Sequence, residues 1–292
     1  MTESGVYWAW LTIGLSPYNP RKSTILRDLI FPEAVYDAII SGERLGLTDN
    51  ELKSLKSVSL AQAEYLFEDC QRRGINVYCP DDEGYPRRLR EVENPPTLLF
   101  SYGKLENVRI NPSVAVIGAR QADEYALRCA DIISQRLGER GVTVISGFAK
   151  GIDSAAHNGV LRGNGQTLAV LGCGLEYDYP MGSRRFKERI AENGAVVTEY
   201  FPNAKPLPQN FKIRNRIVSG LSNGILVIQA GERSGTLNTV SHGISQGRDI
   251  FVLAPHDIFS GEYAGNIGLL RDGAIPVYSV KDILANLNTA EL

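Results

Sequence analysis

Residues 113–147, SVAVIGARQADEYALRCADIISQRLGERGVTVISG, read as strand, glycine turn, helix and strand again. Val114 to Ile117 is a short apolar run that ends on Gly118. Apolar positions then recur three and four apart from Ala126 to Leu137, and Val142 to Ile145 opens a second run that ends on Ser146 and Gly147. A strand that is apolar at every position is buried on both faces, which calls for a parallel sheet with helices on either side. The same grammar continues through TLAVLG (167–172), AVVTEY (195–200), GILVIQA (224–230), DIFVLAP (249–255) and AIPVYS (274–279). Helices are expected over 124–138, from about 151, over 183–192 and near 235–246. The fold class is therefore α/β, an extended Rossmann-like, doubly wound and mostly parallel sheet.

Residues before about 105 follow a different period. YWAWLTIGL, RKSTILRDLI, PEAVYDAII, TDNELKSL and SLAQAEYLFEDCQRRG place apolar residues at helical spacing, and Thr48 with Glu51 and Ser59 with Gln62 fit capping boxes. GYPRRLREVENPPTLLFSYGKL (84–105), with paired prolines and a short apolar strand, reads as a linker. The expected division is an all-helical domain with its linker over 1–105 and the α/β domain over 106–292. Residues 1–100 carry 11 Lys and Arg against 15 Asp and Glu, and residues 101–292 carry 20 against 18. With a net charge of -2 the molecule has no global attraction for a polyanion, so such a ligand needs a local patch. No apolar segment approaches the roughly 18 residues of a membrane span, and no secretory leader is evident, so the expectation is a cytoplasmic protein that meets no membrane. Four cysteines without CxxC spacing and three scattered histidines suggest neither a disulfide framework nor a metal site.

Ligands of doubly wound sheets bind beyond the carboxyl ends of the strands. The loops expected there are GARQADEYA, SGFAKGID, LGCGLEYDYP, EYFPNAKPLPQNFKIRNR and QAGERSGT. Their glycines allow close backbone approach, and Arg120, Lys150, Arg214, Arg216 and Arg233 supply charge, which together suit phosphate groups. Neither a G-x-G-x-x-G fingerprint nor G-x-x-x-x-G-K-[ST] is present, and Ser146 does not sit in G-x-S-x-G. Among carboxylates, Asp153 reads as a helix-start cap, Glu176 and Asp178 could face the cleft, and Glu199 is undecided between structure and chemistry. His157 reads as an orienting or packing residue and Cys173 as a small buried one. The most informative stretch is basic: Lys205, Lys212, Arg214 and Arg216 surround Phe211, with no acid between Glu199 and Glu232. Because Arg214 and Arg216 cannot share one buried helix face, at least one is expected to project toward the cleft. Cations along a backbone and an aromatic face for a base are what single-stranded nucleic acid requires.

VAVIGAR, SGFAKGIDSAAHNGVL, TLAVLGCGLEYDYP, TEYFPNAKPLPQNFKIRNRIVSGLS, RSGTLNTVSHGISQGRDIFVLAP and GLLRDGA, in this order, resemble the DprA/Smf DNA-processing family over nearly the whole chain. The resemblance implies a protein without catalytic activity, cofactor or metal. It would bind and protect single-stranded DNA during natural transformation and help load the RecA recombinase, as a homodimer. It also implies a DNA pocket at Arg120, Ser146, Gly147, Lys150, Phe211, Arg214, Asn215 and Arg216, with Arg233, Ser234 and Gly235 at the same edge; Lys205 and Lys212 join these on charge. Lys150 stands where many members have arginine, which keeps the charge and loses the bidentate fork. Asp123 and Glu124 bring acid to the rim. The N-terminal helices occupy the place of a SAM-like or helix-hairpin-helix region, but GLSPYNPRKS lacks the G-x-G hairpin, so a structural or partner-binding role is expected. A C-terminal winged-helix domain is not expected here. The rival readings are a LOG-like nucleotide phosphoribohydrolase or nucleotide-binding protein of the same superfamily, whose usual P-G-G-x-G-T turn is replaced by QAGERSGTLNT, and a protein scaffold indifferent to DNA.

Overall fold

The structure, a computed structural model, describes residues 3–288. Its first part is helical: α1 (Glu3–Leu15), α2 (Arg21–Leu29), α3 (Pro32–Ser41), α4 (Asp49–Ser57) and α5 (Leu60–Arg72). Both capping boxes form, Thr48 with Glu51 and Ser59 with Gln62, and each satisfies backbone N–H groups that a helix start leaves free. Trp10, Val35, Ile39, Leu55, Ala63 and Cys70 close the core between these helices.

Among the described residues there is one nine-stranded sheet, ordered β1-β2-β6-β5-β4-β3-β7-β8-β9. Its strands are β1 (Asn76–Tyr78), β2 (Leu99–Tyr102), β3 (Ser113–Ile117), β4 (Thr143–Ser146), β5 (Thr167–Val170), β6 (Gly194–Thr198), β7 (Gly224–Val227), β8 (Asp249–Leu253) and β9 (Ile275–Val277). Every pairing from β6 to β9 is parallel, while β2 joins β6 and β1 joins β2 antiparallel. The sheet thus reaches back past residue 105, because its edge is built from β1 and β2. A three-residue strand such as β1 is too short to show a period.

The helices that follow are α6 (Arg87–Arg90), α7 (Glu124–Gly138), α8 (Ile152–Arg162), α9 (Arg184–Glu192), α10 (Pro208–Leu221), α11 (Thr236–Ser245), α12 (Ala264–Arg271) and α13 (Val280–Asn286). Alternate residues of the strands face two different layers. Val114, Val116, Val144 and Leu226 pack with Ala130, Ile133, Ala156 and Val160 of α7 and α8. Ala115, Ile117, Ile145 and Val227 pack with Leu89, Ile217, Val218 and Leu221 of α6 and α10. Phe100, Ala169, Leu171 and Val196 share a third cluster with the N-terminal helices. The chain winds from β3 outward to β6, then returns through α10 to β7 on the other side of β3, which puts the topological switch point between β3 and β7.

Lys22 in α2 ties the helical part to the linker. It is 4% exposed, and its ammonium donates to the Pro17 carbonyl at 2.6 Å and to Thr97 Oγ1 at 2.8 Å. Burial lowers its pKa from 10.5 to about 7, with the Glu199 charge opposing and the Arg216 charge reinforcing that shift. Between those two values the unfolded chain holds a proton that the folded chain has released, so stability contributed by this group rises with pH. Urea midpoints taken from about pH 7 to 10.5 are expected to climb more steeply for the wild type than for Lys22→Met. Equal slopes would assign the dependence to another group.

Candidate nucleic-acid interface

Phe211 organises the carboxyl edge of the sheet. It lies near the start of α10, which Pro208 fixes by occupying the first helical position. A Cβ on Gly172 would come within 2.8 Å of the Phe211 ring, so glycine at the end of β5 is what makes room for it. Tyr179 flanks the ring at 5.4 Å between centroids, and the Arg120 guanidinium stands 5.6 Å from its centre. The residue is half-buried, with Tyr179 and Arg120 beside its ring.

Five sequence-predicted cations surround this edge in exposed positions: Arg120 after β3, Lys150 after β4, Lys205 after β6, Lys212 on α10 and Arg233 after β7. None of them pairs with a carboxylate among the described residues. Gly151, at φ +80°, packs against the carbonyls of Ala119 and Arg120, which brings the β4 loop with Lys150 against the β3 loop. Asn215 Nδ2 donates to Asn238 Oδ1 at 3.2 Å and so joins α10 to the start of α11, where Arg233, Ser234 and Gly235 lead in. The Ser234 hydroxyl bonds Thr236 at 3.0 Å, and Gly235 is exposed.

Arg214 and Arg216 do not behave as the sequence suggests: each is 4% exposed and neither projects into the cleft. They lie about 200° apart around the helix. α10, however, packs on both sides, against α11 and strands β3 to β5 and also against α6, so two opposed positions can both be buried. Arg214 donates to the carbonyls of Gly147 and Val170 and through Nε to Asn215 Oδ1. Burial lowers its pKa and the Asp153 charge opposes this. Gly147 is required here, since a Cβ would meet Arg214 Nη2 at 2.6 Å and Asp153 Oδ2 at 2.9 Å. Arg216 forms a two-pronged ion pair with Glu199, at 2.7 and 2.6 Å, donates through Nε to the Asn94 carbonyl, and lies 5.1 Å from the centre of the Tyr18 ring. Burial works to lower the Arg216 pKa, but the charge and hydrogen bonds of Glu199 outweigh it and raise the value.

The other candidates are likewise committed to the framework. Ser146 Oγ donates to the Val116 carbonyl at 2.6 Å and is fully buried, so it ties β4 to β3 instead of facing the rim. Asp153 is not the cap of α8, whose N-cap is Gly151; its carboxylate turns back to the Ala149 N–H at 3.1 Å, and burial raises its pKa against the pull of Arg214. Glu176 pairs with Arg73 of the helical part, and Asp178 accepts from the N–H groups of Gly182 and Ser183. His157 is buried beside Phe148 and Phe186 and bonds Thr167 at 2.7 Å; burial, then the Arg214 charge, takes its pKa to about 3, so it stays neutral. Cys173 is 1% exposed. No group of three or more His, Cys, Asp or Glu among the described residues could hold a metal ion.

Sequence reasoning missed Gly172 and Tyr179 as the seat of Phe211. It also missed Lys187, 4% exposed, which donates to the carbonyls of Leu175 and Tyr177 and so shapes the loop carrying Tyr179. A cleft of about 1120 Å³ lies away from this edge and is lined by Asn76, Tyr78, Glu83, Arg87 and Glu106. A strand of nucleic acid needs an open basic groove with a stacking face, so cleft volume does not decide the site.

A family model described as DNA recombination-mediator protein A matches residues 76–288. The chain is 38% identical to Protein Smf of Synechocystis sp. over 77% of its own length and 57% of that protein's. It is 39% identical to DNA processing protein DprA of Streptococcus pneumoniae over 70% of its length and 71% of that protein's. A crystal structure of the Streptococcus pneumoniae protein matches with a TM-score of 0.82 at 29% identity, covering 99% of both chains. A structure of DNA processing protein A from Helicobacter pylori, described as showing its single-stranded DNA binding mode, matches with a TM-score of 0.65 at 26% identity, over 73% of this chain and 95% of that one.

Proposed function

Because the chain belongs to the DNA recombination-mediator protein A family, we propose that it binds single-stranded DNA, without sequence preference, at the carboxyl edge of its sheet. The observation that carries this reading is the half-buried Phe211 ring beside exposed cations that have no carboxylate partner among the described residues. A base stacks on Phe211, while Arg120, Lys150, Lys205, Lys212 and Arg233 track the phosphates. Ser234 and Gly235 lie beside that track at the start of α11. Arg214 and Gly147 shape the pocket floor from within. Contacts of this kind address the backbone and the π-face that every base has, so they read no sequence. As a mediator the protein protects the strand and helps pass it to a recombinase of the RecA type, acting as a homodimer. The proposed role is one of binding, and Glu199, undecided from the sequence between structure and chemistry, has both oxygens accepting from Arg216.

Fluorescence anisotropy of a labelled oligothymidine and its duplex counterpart across a salt series tests this. Single-strand affinity is expected to fall as salt rises, with log K losing about 0.7 per neutralised phosphate for each unit of log salt. Arg120→Ala is expected to weaken binding to all sequences alike and to lower the slope by about one contact. A slope near zero, or equal affinity for the duplex, would overturn the reading.

A further inference from the structure

One edge of the sheet is left open by its own fold. β1 stands last in the strand order, and the backbone groups of Asn76, Val77 and Tyr78 bond only to β2 among the described residues. Half of the N–H and C=O groups of such a strand point away from its neighbour and form a template on which another extended chain can pair. β1 is three residues long and carries neither lysine nor proline, the usual guards of an edge. All three residues line the cleft of about 1120 Å³, whose other walls are the end of α5 with Phe67 and Gln71, the loop from Asp82 to Arg88, and the turn at Leu105 and Glu106. The two faces of β1 differ in chemistry. Val77 packs with Phe67 against the core of the helical part. Tyr78, on the other face, packs with Tyr85, Leu105 and Val108, and its hydroxyl donates to Glu106 at 2.6 Å. A Cβ on Gly84 would come within 2.8 Å of the Tyr78 ring, so glycine there lets the loop carrying Asp82 and Glu83 close on this face. Glu83 and Glu106 are exposed, and neither forms an ion pair among the described residues. Against these acids the lining sets Arg87 and Arg88, of which Arg88 is engaged by the Ser222 carbonyl at 3.3 Å.

We propose that this cleft receives an extended segment of a partner protein, alternating apolar with basic residues, which pairs with the free edge of β1 and adds a strand to the sheet. Main-chain bonds to the edge supply affinity that depends on no particular side chain, and the pockets beside the edge select the sequence. Side chains of an added strand alternate between the two faces as those of β1 do. The apolar set lies on the side of Val77 and Phe67, and the Lys or Arg set lies on the side of Tyr78, where it meets Glu83 and Glu106. Opposite charge there favours a basic segment, and like charge turns away an acidic segment and a nucleic-acid strand alike. The cleft lies apart from the Phe211 edge, so the proposal stands whether or not that edge binds DNA.

The probe is a dye-labelled peptide of about seven residues in which valine and lysine alternate, titrated against the full chain by fluorescence anisotropy. Two controls run beside it: a valine-glutamate peptide, and the valine-lysine peptide with its backbone nitrogens methylated, which can no longer donate to a strand. The wild type is expected to bind each control at least about tenfold more weakly than the probe. Glu83→Lys combined with Glu106→Lys is expected to weaken the valine-lysine peptide about tenfold and to strengthen the valine-glutamate one. Because Glu106 also receives the Tyr78 hydroxyl, Glu83→Lys alone is the second variant, with a smaller effect in the same direction, and circular dichroism verifies the fold of both. Amide hydrogen exchange over Asn76–Tyr78 is expected to slow when the peptide is bound. Equal binding of the methylated peptide, or unchanged exchange at β1, would overturn strand addition. Equal affinity for the two charge types, or no response to Glu83→Lys, removes the preference for a basic segment, and failure of the probe to bind at all removes the proposal.

Discussion

Replacing Arg216 with alanine is expected to lower the free energy of unfolding by about 3–5 kcal/mol, because it leaves Glu199 buried without its counter-charge. Glu199 is 1% exposed and has both oxygens on the Arg216 guanidinium, so water cannot take over without opening the junction between α10, the linker at Asn94 and Tyr18. Glu199→Ala is expected to cost a similar amount from the opposite side of the pair. Replacing both partners with apolar residues, Arg216→Met with Glu199→Leu, removes the stranded charge and is expected to recover most of that loss. Denaturant midpoints of the three variants check this. The double variant also separates two roles for Arg216: if it binds oligothymidine with the wild-type salt slope, Arg216 is a structural cation. A slope reduced by about one contact would mean that the guanidinium reaches phosphate after all.

Phe211→Ala is expected to weaken single-strand binding by about 1–3 kcal/mol, the worth of one stacked base, which is roughly 5- to 150-fold in the dissociation constant. The change removes no charge, so the salt slope should stay where it was. Phe211→Trp keeps a π-face and should retain most of the affinity. Anisotropy titrations of the three proteins at one salt concentration, then across the salt series, read both quantities. An unchanged affinity in Phe211→Ala would show that the ring serves only to pack against Gly172 and Tyr179.

These expectations show where sequence suffices and where it does not. The strands β3 to β8 are legible because each is a run of β-branched and small apolar residues that ends at a turn, and burial on both faces leaves no alternation to misread. The N-terminal boundaries of α4 and α5 are legible because their caps are local chemistry, decided within a few residues. The strand β1 is not legible, since Asn76–Tyr78 pairs only with β2 and carries no pattern of its own. The basic stretch is half legible. Its charge and its aromatic residue are plain, but reading Arg214 and Arg216 as competitors for one buried face assumes a helix packed on one side. In the structure α10 is enclosed on two, and the partners that consume the two guanidinium groups, Gly147, Val170 and Glu199, come from three other segments. Charge counted along a chain therefore overstates the charge a ligand meets. The cations available to a ligand are the exposed ones, four on the loops and Lys212 on α10.

The junction beneath α10 bears on how such a chain can change by exchange of parts. Tyr18 comes from the loop between α1 and α2, Lys22 from α2, Asn94 and Thr97 from the linker, and Glu199 and Arg216 from far downstream, yet they share one electrostatic neighbourhood. A graft that trades the first hundred or so residues for those of a relative inherits half of this arrangement and must find the other half already matched. The place where the sequence changes its grammar is thus a poor place to cut. Parts that look interchangeable on paper are keyed to each other, and the key is a buried cation.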